Sequence, residues 1–244
     1  MSKKLIMFMI PHGSAGLSWG ILLAFILDVC NKKYYYMCNK NDTVENMIKE
    51  TYAKYYRLSE KYNGYISTSE LLREGLTNRQ IAQFVSSGML EKVCYGIYWF
   101  SCADYSKPCD YKAIEICRSD PRAVICADSA CFYQGLIEAE PPVVSVATRR
   151  DDRSKIAMSF PVTRHYYSGN SFFEHQKTVN TDFGQYVVYD IERSVCDCIR
   201  FKDTIDDDIF CLVIERYRQQ ETANNRLICY AEKLHVLNQV KKYI

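Results

Sequence analysis

The sequence predicts an α+β fold: an N-terminal winged helix-turn-helix followed by a mixed α/β C-terminal domain that ends in helices. Three observations point there. Two helix-capping patterns lie ten residues apart, at Ser67 and Thr77, with a single glycine, Gly75, dividing the two helices. A short hairpin signal follows the second helix, and beyond it strand-like runs alternate with helical ones.

Residues 1–42 read as a leader. MSKKLIMFMI sets two lysines before a short apolar run, and LSWGILLAFILDV adds another, interrupted by Trp19 and Asp28. A signal peptide has this layout, but no A-x-A-like site follows. A spanning helix wants roughly 20 apolar residues, and Pro11-His12-Gly13 separates the two runs. Three readings stay open: translation starting at Met37, an apolar helix packed on the body or a partner, and membrane association. No membrane contact is taken as the default.

Residues 43–102 carry the winged helix-turn-helix. TVENMIKETYAKYYRLSEKYNG places Val44, Met47, Ile48, Tyr52, Tyr55 and Leu58 at helical spacing, and Asn63-Gly64 stops it. In ISTSELLREG, Ser67 is the N-cap, Glu70 stands at N3 and Ile66 can staple onto Leu71. Thr77 caps the next helix, with Gln80 at N3 and Leu76 stapling to Ile81. Lys92-Val93-Cys94 and Ile97-Tyr98-Trp99 then flank Tyr95-Gly96, a tight hairpin that forms the wing.

From residue 103 to 244 the texture is that of a second domain. AVIC, VVSVAT, VTRHYY and GQYVVYD read as strands. SACFYQGL, IERSVCDCIRF, DDIFCLVIERYR and TANNRLICYAEKLHVLNQVKK read as helices. Ser101 to Asp110, with Pro108, is the linker.

Composition narrows the function. Apolar residues at 48% supply a core, and a net charge of +2 leaves no field of one sign, so nucleic-acid binding must rest on a local patch. The 12 cysteines include no C-x-x-C; Cys196 and Cys198 form the closest pair and point to different faces of a helix. Neither zinc nor disulfides are expected, and the thiols suit a reducing cytoplasm. Phosphate-loop, nucleophile-elbow, zincin and dinucleotide fingerprints are absent from the sequence, and no enzymatic function or cofactor is expected. Asp128, Ser129 and His165 lack a triad's spacing, and Asp206-Asp207-Asp208 fits a helix start better than a metal site.

The Thr77 helix carries the candidate interface. Ile81, Phe84 and Val85 cluster on one side; Arg79, Gln83 and Ser86 lie opposite, with Asn78 and Gln80 at the edges and no acid among them. Arg reads guanine, Gln or Asn reads adenine, and hydroxyls reach phosphates. Arg79, Gln80 and Gln83 are the expected base readers. Thr77, Asn78 and Lys92 are the backbone contacts, and Ser86 and Tyr95 complete the set. In the second domain Arg193 and Asp197 sit at i, i+4 on a helix with Glu192 and Arg200 nearby, an ion pair expected to fix the helix.

The run GYISTSELLREGLTNRQIAQFVSSGMLEKVCYGIYWF resembles the winged-helix domain of AbiEi-type antitoxins, from type IV toxin–antitoxin systems of phage abortive infection. The progression is Gly75, Thr77, Gly88-Met89-Leu90 and Gly96-Ile97-Tyr98. AVICADSACFYQGL and the Glu192-Arg193-Ser194-x-x-Asp197 helix are similar to that family's second domain. Relatives often carry a basic residue before the Gly-Ile-Tyr; Tyr95 stands there instead, leaving a hydroxyl as the contact. The resemblance implies a cytoplasmic autorepressor that binds inverted repeats upstream of its own operon. It also implies an antitoxin that counters an AbiEii-type, nucleotidyltransferase-like toxin without a stable complex. The rivals are a winged-helix protein-interaction module, and a nuclease or nucleotide-handling enzyme using the second domain.

Overall fold

A computed structural model of the chain describes residues 26–29, 32–35, 42–101, 106–167, 169–220 and 224–244. The chain divides into two compact units, 1–52 and 53–244. In the first, β1 (Ile26–Val29) pairs antiparallel with β2 (Lys32–Tyr35). The helical reading of the leader therefore does not hold over these residues, and the rest of that expectation falls outside the described residues.

Helix α1 (Asp42–Lys61) ends where Asn63 and Gly64 take positive φ angles of 47° and 82°. The chain continues through β3 (Tyr65–Ser67), α2 (Thr68–Arg73), α3 (Asn78–Ser86), β4 (Leu90–Cys94) and β5 (Ile97–Phe100). The three strands form one antiparallel sheet in the order β3-β5-β4. Tyr55 of α1 closes this small core. Its ring meets Phe84 and Phe100 at 5.6 and 4.9 Å, and its hydroxyl donates to the Met89 carbonyl at 2.5 Å. A three-stranded sheet of this size needs such helices to cover it.

Then follow α4 (Tyr111–Ser119), β6 (Val124–Ile125), α5 (Ala127–Tyr133), β7 (Val144–Arg149), β8 (Val162–Tyr167), β9 (Gln176–Thr181) and β10 (Gly184–Tyr189). Helices α6 (Ile191–Arg200), α7 (Asp207–Arg218), α8 (Asn224–Lys233) and α9 (Leu237–Tyr243) complete the chain. The second sheet runs β8-β7-β6-β10-β9, with β7–β8 and β6–β10 parallel and the other pairs antiparallel.

Alternation along these strands divides the core in two. Val124, Ala147, Tyr167 and Tyr189 pack with α6 and the C-terminal helices. Ile125, Val146, Tyr186 and Val188 pack with α4 and with Tyr65, Val93 and Trp99 of the winged helix. Helix α4 is thus a shared layer between the small sheet and the large one. Both faces of β7 are covered, so it is buried without a break from Val144 to Thr148.

Five elements were not anticipated: β1, β2, β3, α4 and β9. The final long helical pattern also breaks into α8 and α9, where His235 adopts a φ of 59°.

Candidate nucleic-acid interface

Two reciprocal caps build the helix pair. The Ser67 hydroxyl accepts from the Glu70 N–H at 3.2 Å while the Glu70 carboxylate accepts from the Ser67 N–H at 2.8 Å. Thr77 repeats this, its hydroxyl accepting from the Gln80 N–H at 3.3 Å and Gln80 Oε1 accepting from the Thr77 N–H at 2.9 Å. Between the helices Gly75 takes a φ of +80°, and the Leu76 N–H returns to the Leu71 carbonyl at 3.0 Å. Only a residue without a Cβ adopts that backbone freely, so the turn between α2 and α3 rests on this position.

The outward face of α3 consists of Asn78, Arg79, Ala82, Gln83 and Ser86, all exposed, with Ile81 and Phe84 buried beneath. Nothing acidic interrupts it. The caps engage two of the side chains expected as contacts. Gln80 Oε1 also accepts from the Thr77 hydroxyl at 3.0 Å, so both side-chain oxygens are occupied by the helix start. The reason is the unpaired N–H groups that every helix N-terminus must satisfy. The cap thereby holds the Gln80 side-chain oxygen and the Thr77 hydroxyl against each other and against the helix start. The Ser86 hydroxyl donates to the Gln83 carbonyl at 2.9 Å, leaving its lone pairs as the outward feature.

The wing presents Tyr95 at its tip, 97% exposed, next to Gly96 with a φ of +74°. The Gly96 carbonyl accepts from the Thr68 N–H at 2.8 Å, which ties the tip to the start of α2. A register shift between Lys92 and Cys94 breaks the strand's alternation, so Glu91 and Lys92 both face solvent while Val93 and Cys94 are both buried. Glu91 does not stand free beside Lys92: its carboxylate pairs with Lys107 at 2.7 Å.

Lys107 also reaches the buried Glu115 at 2.8 Å, and Glu115 accepts from the Tyr65 hydroxyl at 3.1 Å. Burial pushes the Glu115 carboxyl up, partly offset by Lys107 and Tyr65. Burial alone would lower Lys107, but the Glu115 and Glu91 carboxylates outweigh it and raise the ammonium. The Arg118 guanidinium lies 4.6 Å from the Tyr65 ring and donates to the Phe183 carbonyl at 2.7 Å. This seam anchors the wing to α4. Sequence spacing gave no hint of it, because Lys107 stands in the linker stretch and Glu115 on an unanticipated helix.

The Glu192-to-Asp197 segment lies in α6. Arg193 and Asp197 are fully buried and pair at 3.1 Å, and Arg193 Nη1 donates to the Ser171 carbonyl at 3.0 Å. The guanidinium sits 4.6 Å from the Tyr189 ring and 5.1 Å from the Tyr167 ring. Burial opposes its charge, but Asp197 and the two tyrosines hold it protonated. Arg193 thus ties α6 to two strands and a loop, a structural role. Glu192 pairs with Arg226 at 3.4 Å, and the exposed Arg200 rests 5.6 Å from the Tyr167 ring.

The other constellations disperse. The Ser129 hydroxyl accepts from the Ser145 N–H at 2.9 Å, whereas the His165 ring lies tilted against Phe201 at 4.1 Å. Asp206 caps α7, accepting from Asp208 and Ile209 N–H groups, and no group of three metal-ligating side chains occurs among the described residues. Cys196 and Cys198 are buried free thiols. Among the described residues no helix is long and apolar enough to cross a membrane.

No protein-family model matches the chain, and no curated protein matches it. Among solved structures, the crystal structure of the RV2827C protein from Mycobacterium tuberculosis is similar. Its TM-score is 0.57, covering 76% of this chain and 75% of that one at 10% identity. At that identity the likeness speaks to the fold alone.

Proposed function

We propose that the chain is a DNA-binding transcriptional autorepressor and an antitoxin of the AbiEi type. It acts in the cytoplasm on operator inverted repeats upstream of its own operon. The observation that carries the reading is the exposed, acid-free face of α3, held by a capped turn and flanked by a wing whose Glu91 is neutralised by Lys107. Arg79 and Gln83 are the base readers, Asn78 and Lys92 contact the backbone, and Tyr95 and Ser86 offer oxygen atoms at the rim. The antitoxin role, countering a nucleotidyltransferase-like toxin without a stable complex, rests on the resemblance of the second domain.

A gel-shift titration of the full chain against its own upstream DNA, beside a shuffled duplex, tests the DNA reading. Arg79→Ala should cost roughly 1–3 kcal/mol at one base pair, whereas Lys92→Ala should weaken every sequence alike and flatten the salt slope by about 0.9. Equal affinity for both duplexes at every salt concentration refutes the operator reading. Co-expression with the neighbouring toxin gene tests the antitoxin role separately.

A further inference from the structure

The end of β7 and the loop after it carry Arg149-Arg150-Asp151-Asp152-Arg153-Ser154-Lys155, four basic residues against two acids. The fold separates them. Arg149 clamps Asp151 through two hydrogen bonds of 2.9 and 2.6 Å. Asp152 accepts from the Ser154 N–H at 2.8 Å and from Arg122 at 3.0 Å. The buried Asp120 takes the Ser154 hydroxyl and Arg122.

With these acids engaged, Arg150, Arg153 and Arg164 remain around a cleft of about 430 Å³ that Asp152, Ser154 and Tyr166 complete. Arg150 and Arg153 are exposed, and neither has an acidic partner among the described residues. Arg164 is held in place: Nη1 donates to the Ser154 carbonyl at 2.5 Å, while its buried Nε has no partner. Its guanidinium lies 5.4 Å from the ring of Tyr166, which is 48% exposed. The two residues stand on one face of β8, the edge strand of the large sheet.

A fixed guanidinium beside an exposed aromatic ring, with two unpaired arginines around it, matches a phosphate and the base attached to it. Guanidinium groups hold phosphate oxygens, and the ring takes the flat face of a base. A duplex hides those faces within its stack; a single strand offers them. We propose that this cleft binds single-stranded nucleic acid, with phosphate on Arg150, Arg153 and Arg164 and one base on Tyr166. The assignment does not rest on the operator reading of α3, and its test contains no duplex.

The test is an anisotropy titration of the full chain into a labelled thymidine strand of about ten nucleotides, enough to fill a short single-strand groove. An abasic strand of equal length and inorganic phosphate as competitor accompany it. The thymidine strand should bind better than the abasic one. Tyr166→Ala should weaken it roughly 5- to 100-fold, with Tyr166→Phe restoring it. Arg150→Ala with Arg153→Ala should lower the salt slope by about 0.7 for each phosphate no longer neutralised. Thermal melts of each variant separate these effects from unfolding. Equal binding of thymidine and abasic strands overturns the proposal. So does an affinity unchanged in the arginine variant, or inorganic phosphate that competes as well as an unlabelled strand does.

Discussion

His165 gives a sharp test of how the large sheet is packed. It lies on β8 with 4% of its surface exposed and its ring tilted against Phe201. Burial, with help from the Arg200 charge, pushes its pKa down from 6.5 to about 4. A folded-state pKa below the unfolded one means that the fold favours the neutral ring. Its contribution is fully present above pH 6.5 and is lost as pH falls toward 4, since the unfolded chain then binds the proton more readily. The whole window corresponds to about 3 kcal/mol, and the part between about pH 8 and pH 5 to roughly 2 kcal/mol. His165→Phe keeps a ring against Phe201 and removes the titration. Urea unfolding of both proteins across this range gives the stability difference, in which the carboxylates common to both cancel. That difference should shift by roughly 2 kcal/mol toward the variant at about pH 5. A difference that stays flat with pH would refute the burial argument, because His165 would then protonate in the fold as easily as in water.

Other substitutions probe the remaining joints. Asp197→Ala leaves the Arg193 guanidinium buried without its counter-charge and should cost about 3–5 kcal/mol, read as a lowered urea midpoint. Thr77→Ala removes the hydroxyl that accepts from the Gln80 N–H and should cost about 1 kcal/mol, with faster amide exchange in the first turn of α3. Gly75→Ala forces a side chain into a φ of +80° and should cost roughly 1–2 kcal/mol in thermal melts.

Much of the winged helix was legible because its signals are local. Ser67 with Glu70, and Thr77 with Gln80, satisfy helix starts within four residues, and Gly75 and Gly96 set turns through their own backbone angles. The helix pairing of Arg193 with Asp197 follows from a spacing of four for the same reason. The same capping box that marks α3 also engages the Gln80 side-chain oxygen within the helix start.

The sequence by itself thus determined the α+β class, the order of the main strands and helices, the two caps and the turn between them. Only the tertiary structure decided what depends on distant partners. Strand β3 is three residues long and exists through its pairing with β5, and α4 is recognisable as the layer that both sheets share. The break at His235 follows a backbone angle that the apolar pattern does not encode. Charge shows the difference most plainly. Arg149 to Lys155 shows two acids among four bases, and only the fold brings Arg122 from another part of the chain to take up Asp152 and so leave Arg150 and Arg153 unpaired among the described residues. Side-chain periodicity reports which face a residue occupies, whereas the partner that meets it there is set by chain closure over many residues.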